Sequence, residues 1–561
     1  MHRLGLFFYE SRFFKKANQH KQQVSLLLES GLDNSTSIDR QIAEAYDQRP
    51  YTSNPFSYTA PAHLRAAAFL YGIQTVPLQN ARVLELGCAA GGNLIPFAIL
   101  YPQAQIVGVD LSSVQINQGQ DLLKHMGIEN VQLHAMSISN ITPEFGQFDY
   151  IIVHGVFSWV PPEVRQDILR VCRENLSPEG LAYISYNTYP GWKAGEIVRD
   201  AMLLHSHFVG DEQKVESARA MLTLLSDGLA AGNSLRPSLL NAVQQLRSHT
   251  DYYIAHEYLE TFNSPCYFVE FADIVSQAGL THVGDAEPRV ECSQVFGLNV
   301  QFNHSLIAFG QNRLMRQQYL DFAVGRNFRK SMVVHAARES EIFSAPDLSR
   351  LSALRFSGYF EPSKRNDDAP AHVRAFKTNR GELLHVDGVG LQSALDVLHQ
   401  SWPQSISGQE LLDRLTQLPE VGAANQAQAA LESLFHFGRY LIELDDEACE
   451  PWTSAGLLAG FAPLAAWRRK KHKGIGQYNR WHNLANIILT PAEYLVLEKI
   501  HQGQFADSAL SRVLCDAWVK GLVPGNDGVS LKGQRNLDAK AVKVVTNLKQ
   551  MFVRQGLMKA G

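Results

Sequence analysis

The chain has 561 residues, and typical domains hold about 100–200, so about two to four domains are expected, each large enough to bury its own core. Hydrophobic residues make up 45% and charged residues 19%, which excludes disorder, collagen and coiled coil as the main class. A net charge of −4 and a pI near 6.6 exclude a globally basic nucleic-acid footprint.

Cys88, Cys172, Cys266, Cys292, Cys449 and Cys515 show no CxxC or CxxH spacing. This argues against a disulfide framework or a zinc site and suits a reducing cytosol. The first residues, MHRLGLFFYE, carry an apolar run broken by Glu10, too short for a secretory core. The uncharged stretch at 454–467 contains Pro463 and falls short of the ~20 residues a membrane span needs. A soluble, cytoplasmic protein without a membrane span is expected.

Residues 1–37 read as an N-terminal extension. YDQRPYTSNPFSYTAP (46–61) is rich in Pro, Tyr and Ser and predicts irregular chain, followed by a helix over about 62–72. From residue 82, RVLEL, QIVGVD, VQLHA, FDYIIV and LAYISY predict strands, separated by helices at about 92–100, 112–126 and 162–175. That alternation indicates a parallel sheet with crossover helices. A helical stretch over roughly 194–277 interrupts it, and THVGDAE (281–287) and HSLIAFG (304–310) predict two further strands. A helix near 312–322 follows, then a polar, irregular region over about 340–385. The last 170 or so residues hold two units of three helices, each ending in a short strand, a winged-helix-like pattern.

The segment VLELGCAAGGN (83–93) carries the chemistry. A strand ends at Glu85-Leu86, a glycine-rich loop follows, and a helix opens near Asn93. Gly87 permits backbone conformations that a Cβ forbids, and Gly91 with Gly92 would admit a ligand close to the chain. Asp110 ends the next strand, where an acid is placed to accept both hydroxyls of a ribose.

Glu85, Gly87, Gly91 and Asp110 in this order resemble the class I S-adenosylmethionine-dependent methyltransferases. The resemblance implies a Rossmann-like α/β core of seven strands with S-adenosylmethionine as cofactor. It places the glycine loop against the methionine part, Glu85 at its amino-acid end, and Asp110 on the ribose. Asn93, Met136 and Ser137 join the cofactor set; Ser137 stands where many members carry an acid for the adenine amino group. Tyr51, in the segment before the core, either caps the cofactor from above or has a packing role.

HGVFSWVPP (154–162) and SYNTYPGW (185–192) follow the fourth and fifth strands. With RPYTSNPF (49–56), HEYLETFNSPCYF (256–268), QYLDFAVGRNFRK (318–330) and, more weakly, NRWHN (479–483), they resemble the bacterial, rickettsial-type protein-lysine methyltransferases with a regulatory domain. The implied reaction is methyl transfer to lysine side chains of a protein. A lysine amine has a pKa of about 10.4 and must lose a proton before attack. Burial among rings favours the neutral amine, while aromatic faces hold the incoming ammonium. Trp159, Tyr186, Tyr189 and Trp192 are expected to line that slot, unless Trp159 and Trp192 only pack a core. His154 either takes a proton or fixes its loop. His256 and Glu257 either orient the amine or form a structural pair.

The domain expectation is an extension at 1–37 and a methyltransferase domain at 38–312, with a helical regulatory insertion at about 200–270. A connecting region follows at 313–385 and a winged-helix-like region at 386–561. RRKKHK (468–473) reads as a solvated basic linker, so nucleic acid is not the expected partner and a protein substrate is. No metal is expected, and nothing in the pattern specifies an oligomeric state. RNA, a small amine, or a non-catalytic role in binding S-adenosylmethionine as a sensor or scaffold are the competing readings.

Overall fold

The computed structural model describes residues 51–260, 262–365, 370–444, 451–471, 474–485, 487–525, 528–532 and 534–559. The expected extension at 1–37 lies outside them.

α1 (Pro61–Leu70) precedes the alternating region, which forms as expected: β1 (Arg82–Leu86), α2 (Ile95–Leu100), β2 (Gln105–Asp110), α3 (Ser113–Met126), β3 (Val131–Ala135), β4 (Phe148–Val153), α4 (Pro162–Glu174) and β5 (Leu176–Asn187). Local chemistry sets these boundaries. Ser112 caps α3 by accepting the N–H of Gln115 at 3.2 Å, and Gly127, with φ 68°, ends it in the left-handed conformation.

Four helices follow β5: α5 (Trp192–Ser206), α6 (Lys214–Asp227), α7 (Arg236–Arg247) and α8 (Asp251–Tyr258). They bury a core of their own around Trp192, Met202, Leu222, Val243 and Ile254. The chain returns through α9 (Phe268–Gln277), β6 (Leu280–Asp285), α10 (Leu298–Ile307), α11 (Arg313–Val324) and β7 (Phe328–His335).

The sheet has seven strands in the order β3-β2-β1-β4-β5-β7-β6; β7 runs antiparallel to both neighbours and the other pairs are parallel. Residues 304–310, expected as a strand, instead end α10 and the turn after it. A short apolar run does not distinguish helix from strand by periodicity. The last strand is β7, so the expected boundary at 312 falls inside the sheet-forming segment.

One sheet face is covered by α4 and α9 through Ile168, Val171, Phe271 and Val275. The other carries α1, α2 and α3, and against them α15 (Phe461–Lys471), α16 (Pro491–His501), α17 (Asp507–Val519) and α18 (Leu537–Arg554) in one continuous core. A second unit holds β8 (Arg355–Ser357), α12 (Val389–Ser401), β12 (Ile406–Ser407), α13 (Gly408–Thr416), α14 (Ala424–Phe437) and β13 (Leu441–Glu443), its strands ordered β12-β8-β13. It packs on Ala66 and Leu70 of α1.

The region 340–385, expected as irregular, contains a three-stranded sheet of β9 (Glu361–Ser363), β10 (Arg374–Lys377) and β11 (Leu383–Val386). Among the described residues, α18 is followed by no strand, only an isolated bridge between Leu457 and Met558. The expected basic linker is the end of α15 at its first four residues. Arg468 donates to the Ile475 carbonyl at 2.7 Å and Arg469 lies over the Tyr494 ring; residues 472–473 lie outside the description. No described helix is long and apolar enough to cross a membrane.

Candidate functional site

A cavity of about 440 Å³ opens at the carboxyl ends of β1, β2 and β4, the position where open α/β sheets bind ligands. Its floor is the loop after β1. Gly87, with φ 74°, has no room for a Cβ, which would meet Val156 Cγ2 at 2.4 Å. Ala89 also adopts positive φ (50°), which turns its N–H onto Asp110 Oδ2 at 2.8 Å. Asp110 Oδ1 accepts the Ser112 N–H at 2.9 Å. These two bonds fix the carboxylate at the cavity wall.

Glu85 is buried, and its Oε1 accepts the Asn93 side-chain N–H at 2.8 Å. Its Oε2 is buried with no hydrogen-bond partner. Burial, together with the negative charge of Asp110, raises its pKa to about 8, against the pull of the Asn93 bond. A buried oxygen left this way is costly unless a ligand completes it. The residues therefore fit the cationic amino-acid end of S-adenosylmethionine.

The roof is the segment 51–56, with Tyr51, Ser53 and Phe56 among its lining residues. It is tied down on two sides. The Tyr252 hydroxyl accepts the Thr52 N–H at 2.7 Å, and the Tyr51 ring lies 4.1 Å from that of His256. On the other side Ser53 forms a parallel bridge with Ile475, donating to the Gly474 carbonyl and accepting from Gly476, both at 2.8 Å. The Ser53 hydroxyl also accepts the Gly92 N–H at 2.7 Å.

Tyr51, Glu85, Gly87, Asn93, Asp110, Met136 and Ser137 all line the cavity. Gly91 does not. Its Cβ position faces Leu133, and that of Gly92 faces the Ser53 carbonyl at 2.2 Å. Gly92 therefore admits the roof and Gly91 packs against β3, where the sequence suggested a ligand for both.

His154, Trp159, His256 and Glu257 also line the cavity. His154 Nδ1 sits 3.2 Å from the Tyr183 hydroxyl and 3.1 Å from that of Ser185. Burial and the nearby Lys330 charge lower its pKa to about 3, which keeps the ring neutral and makes it a weak proton acceptor. The buried His256 ring contacts Glu260 at 3.2 Å through Nδ1, not its neighbour Glu257. Burial, with Glu260 nearby, raises the Glu257 pKa to about 7.

Tyr186, Tyr189 and Trp192 do not line the cavity. Tyr186 is buried, stacks on Phe271 at 4.0 Å and meets the Ser331 hydroxyl. It lies three residues from Tyr183, and side chains at odd spacing on a strand leave by opposite faces. The Tyr189 hydroxyl donates to Glu196 at 2.7 Å. Trp192 opens α5 and packs against Tyr258 in the insertion core. The rings that do line the cavity, beside those of Tyr51, Phe56, His154, Trp159 and His256, are Tyr252 and Tyr253 in the first turn of α8. Their aromatic pairing at 252–253 was the only sequence signal for them.

A model described as a methyltransferase domain matches residues 83–180, and one described as a predicted methyltransferase regulatory domain matches 250–335. The second span includes α8 and the strands β6 and β7, so it is displaced from the expected insertion at 200–270. Protein RP789 of Rickettsia prowazekii is 41% identical over 293 residues, which cover 52% of this chain and 52% of that protein. Protein RP028 of the same organism is 39% identical over 231 residues, 41% of this chain and 92% of that protein. The chain thus spans about half the length of the first relative and most of the second. The structure of PKMT2 from Rickettsia typhi matches with a TM-score of 0.76 and 25% identity, covering 91% of this chain and 100% of that one. The structure of the same protein in complex with AdoHcy matches with a TM-score of 0.75, also at 25% identity, with the same coverage.

Proposed function

The chain belongs to the class I S-adenosylmethionine-dependent methyltransferases that carry a regulatory domain, and from that premise we propose that it methylates lysine side chains of a protein. The observation that carries this reading is the lining of one cavity, which combines the carboxyls of Glu85 and Asp110 with the rings of Trp159, Tyr252 and Tyr253 and with Glu257. The first two suit the cationic and ribose parts of the cofactor, the rings and Glu257 a cationic alkyl amine.

S-adenosylmethionine, when bound, supplies an electrophilic methyl group on a sulfonium. Glu85 holds the amino-acid end through Oε2, and Asp110, oriented by the N–H groups of Ala89 and Ser112, accepts the ribose hydroxyls. The rings of Trp159, Tyr252 and Tyr253 receive the lysine as an ammonium and exclude water. Glu257, poised near neutrality, takes the proton that the amine must lose. His154 stays neutral and fixes the loop after β4 through Tyr183 and Ser185. The roof segment and α8 align the amine for in-line attack at about 3–3.5 Å. The unit carrying α12 to α14 would give a macromolecular acceptor a surface beyond the cavity.

The test is incubation of the purified protein with methyl-labelled cofactor and a lysate of its own organism, with and without RNase, followed by peptide mass spectrometry. Label on lysine ε-nitrogens that disappears with Asp110→Ala supports the proposal. RNase-sensitive label points to RNA, and bound cofactor with no label on any acceptor points to a sensor or scaffold.

A further inference from the structure

The segment Asn479–Asn483, NRWHN, belongs to the C-terminal part of the chain, yet His482 reaches the cofactor loop. His482 is buried, and its Nε2 lies 2.9 Å from Asn93 Oδ1 across 389 residues of sequence. The amide orientation of Asn93 is fixed independently, because the Phe56 N–H, a donor only, meets Oδ1 at 3.0 Å, while Nδ2 donates to Glu85 Oε1 at 2.8 Å. Oδ1 therefore accepts, and His482 carries its proton on Nε2 and donates it. The Phe56 N–H supplies the second bond to Oδ1, at 3.0 Å. Thr59 also approaches Oδ1 at 3.1 Å, but its single hydroxyl proton has a shorter contact at 2.8 Å with the Phe56 carbonyl. His482 and the roof segment thus fill both lone pairs of one amide oxygen.

The position of His482 is itself set from behind. Its backbone is held at φ 56°, in the left-handed region. Asn479 Nδ2 donates to the Gln555 carbonyl at 3.0 Å, and its Oδ1 accepts the N–H groups of Trp481 and Asn483. Arg480 pairs with Glu443 at 3.2 Å, and the Trp481 indole N–H donates to the Pro403 carbonyl at 2.8 Å. These contacts come from the ends of α18 and β13 and from the turn before β12.

We propose that His482 is a positioning residue for cofactor binding: by saturating Asn93 Oδ1 it commits the Asn93 amine to Glu85 Oε1 and leaves Glu85 Oε2 for the ammonium of the methionine part. The C-terminal region then sets cofactor affinity without touching the cofactor. Without the His482 donor, Asn93 Oδ1 keeps only the Phe56 N–H and the amide is held less firmly against Glu85. This rests on the cofactor reading above.

The experiment is calorimetric titration of the full chain with S-adenosylmethionine, with melting temperature measured alongside. His482→Gln retains an N–H near the Nε2 position; His482→Leu lacks it, and neither is favoured at positive φ, so the pair shares one backbone cost. His482→Leu is expected to bind about five- to tenfold more weakly, the worth of one lost buried hydrogen bond. His482→Gln should stay within about twofold of the unsubstituted chain. If His482→Leu does not fold, His482→Asn takes its place, since Asn tolerates the left-handed backbone but is too short to reach Asn93. Equal weakening by Gln and Leu, or unchanged affinity in the Leu variant, overturns the proposal. Failure of the unsubstituted chain to bind S-adenosylmethionine overturns instead the reading on which it rests.

Discussion

Asn93 donates its side-chain N–H to Glu85 Oε1 at 2.8 Å, while Glu85 Oε2, equally buried, has no hydrogen-bond partner. The carboxyl therefore holds its proton up to a pH of about 8 in the ligand-free protein. Its raised pKa makes the ligand-free fold most stable below the unfolded value near 4.5, and this contribution is lost as pH rises through 8. A bound cation reverses the preference, so cofactor binding at pH 7 should release a proton from Glu85. Titration in buffers of different ionisation enthalpy measures it. Glu85→Gln should abolish that release, weaken binding, and stabilise the ligand-free protein at pH 8 by about 1–3 kcal/mol.

Asp110→Ala removes the ribose acceptor and also frees the N–H groups of Ala89 and Ser112. Charged hydrogen bonds of this kind contribute about 1.5–3 kcal/mol each. Cofactor affinity should fall about 100-fold, as read by calorimetry, and unchanged affinity would remove Asp110 from the site.

Glu257 and Trp159 line the cavity, and the proposal places the acceptor amine beside them. Glu257→Gln should lower kcat at neutral pH with little change in cofactor affinity, and should abolish the acid limb of the pH–rate profile near 7. Trp159→Ala should raise the acceptor KM more than it lowers cofactor binding.

Trp192→Ala has a different expected outcome. Trp192 is 8% exposed and packs in the core of the helical insertion. Truncating such a ring costs about 3–5 kcal/mol. The melting temperature should fall, and cofactor binding and turnover should fall together with the stability of α5 and α8 rather than turnover alone.

Gly92 is closed to side chains by the roof, since a Cβ would lie 2.2 Å from the Ser53 carbonyl. Gly92→Ala should displace residues 51–54, speed proteolytic cleavage there, and weaken cofactor binding. Cleavage rates with and without S-adenosylmethionine check this, and an unchanged pattern would separate the roof from the glycine loop.

The sequence by itself determined the alternating core and the cofactor end. β1 to β5 and the loop from Glu85 to Asn93 are written in short-range patterns: strand periodicity, glycines where the backbone turns, and an acid at a strand end. These are decided within about thirty residues, so they are legible in one dimension. Only the tertiary structure decided which rings line the cavity and how the roof is held. Which ring of YNTYPGW meets the cavity depends on strand facing and on the insertion core, and Tyr186, Tyr189 and Trp192 all turn elsewhere. Tyr252 and Tyr253 arrive from α8, about a hundred residues after Trp159. The last strand proved to be β7 because HSLIAFG is a short apolar run, which either helix or strand accommodates until packing chooses. His482 reaches Asn93 because the C-terminal helices share the core of the sheet face beneath the glycine loop. No local propensity encodes a contact of that separation; it forms only when distant apolar faces are buried together.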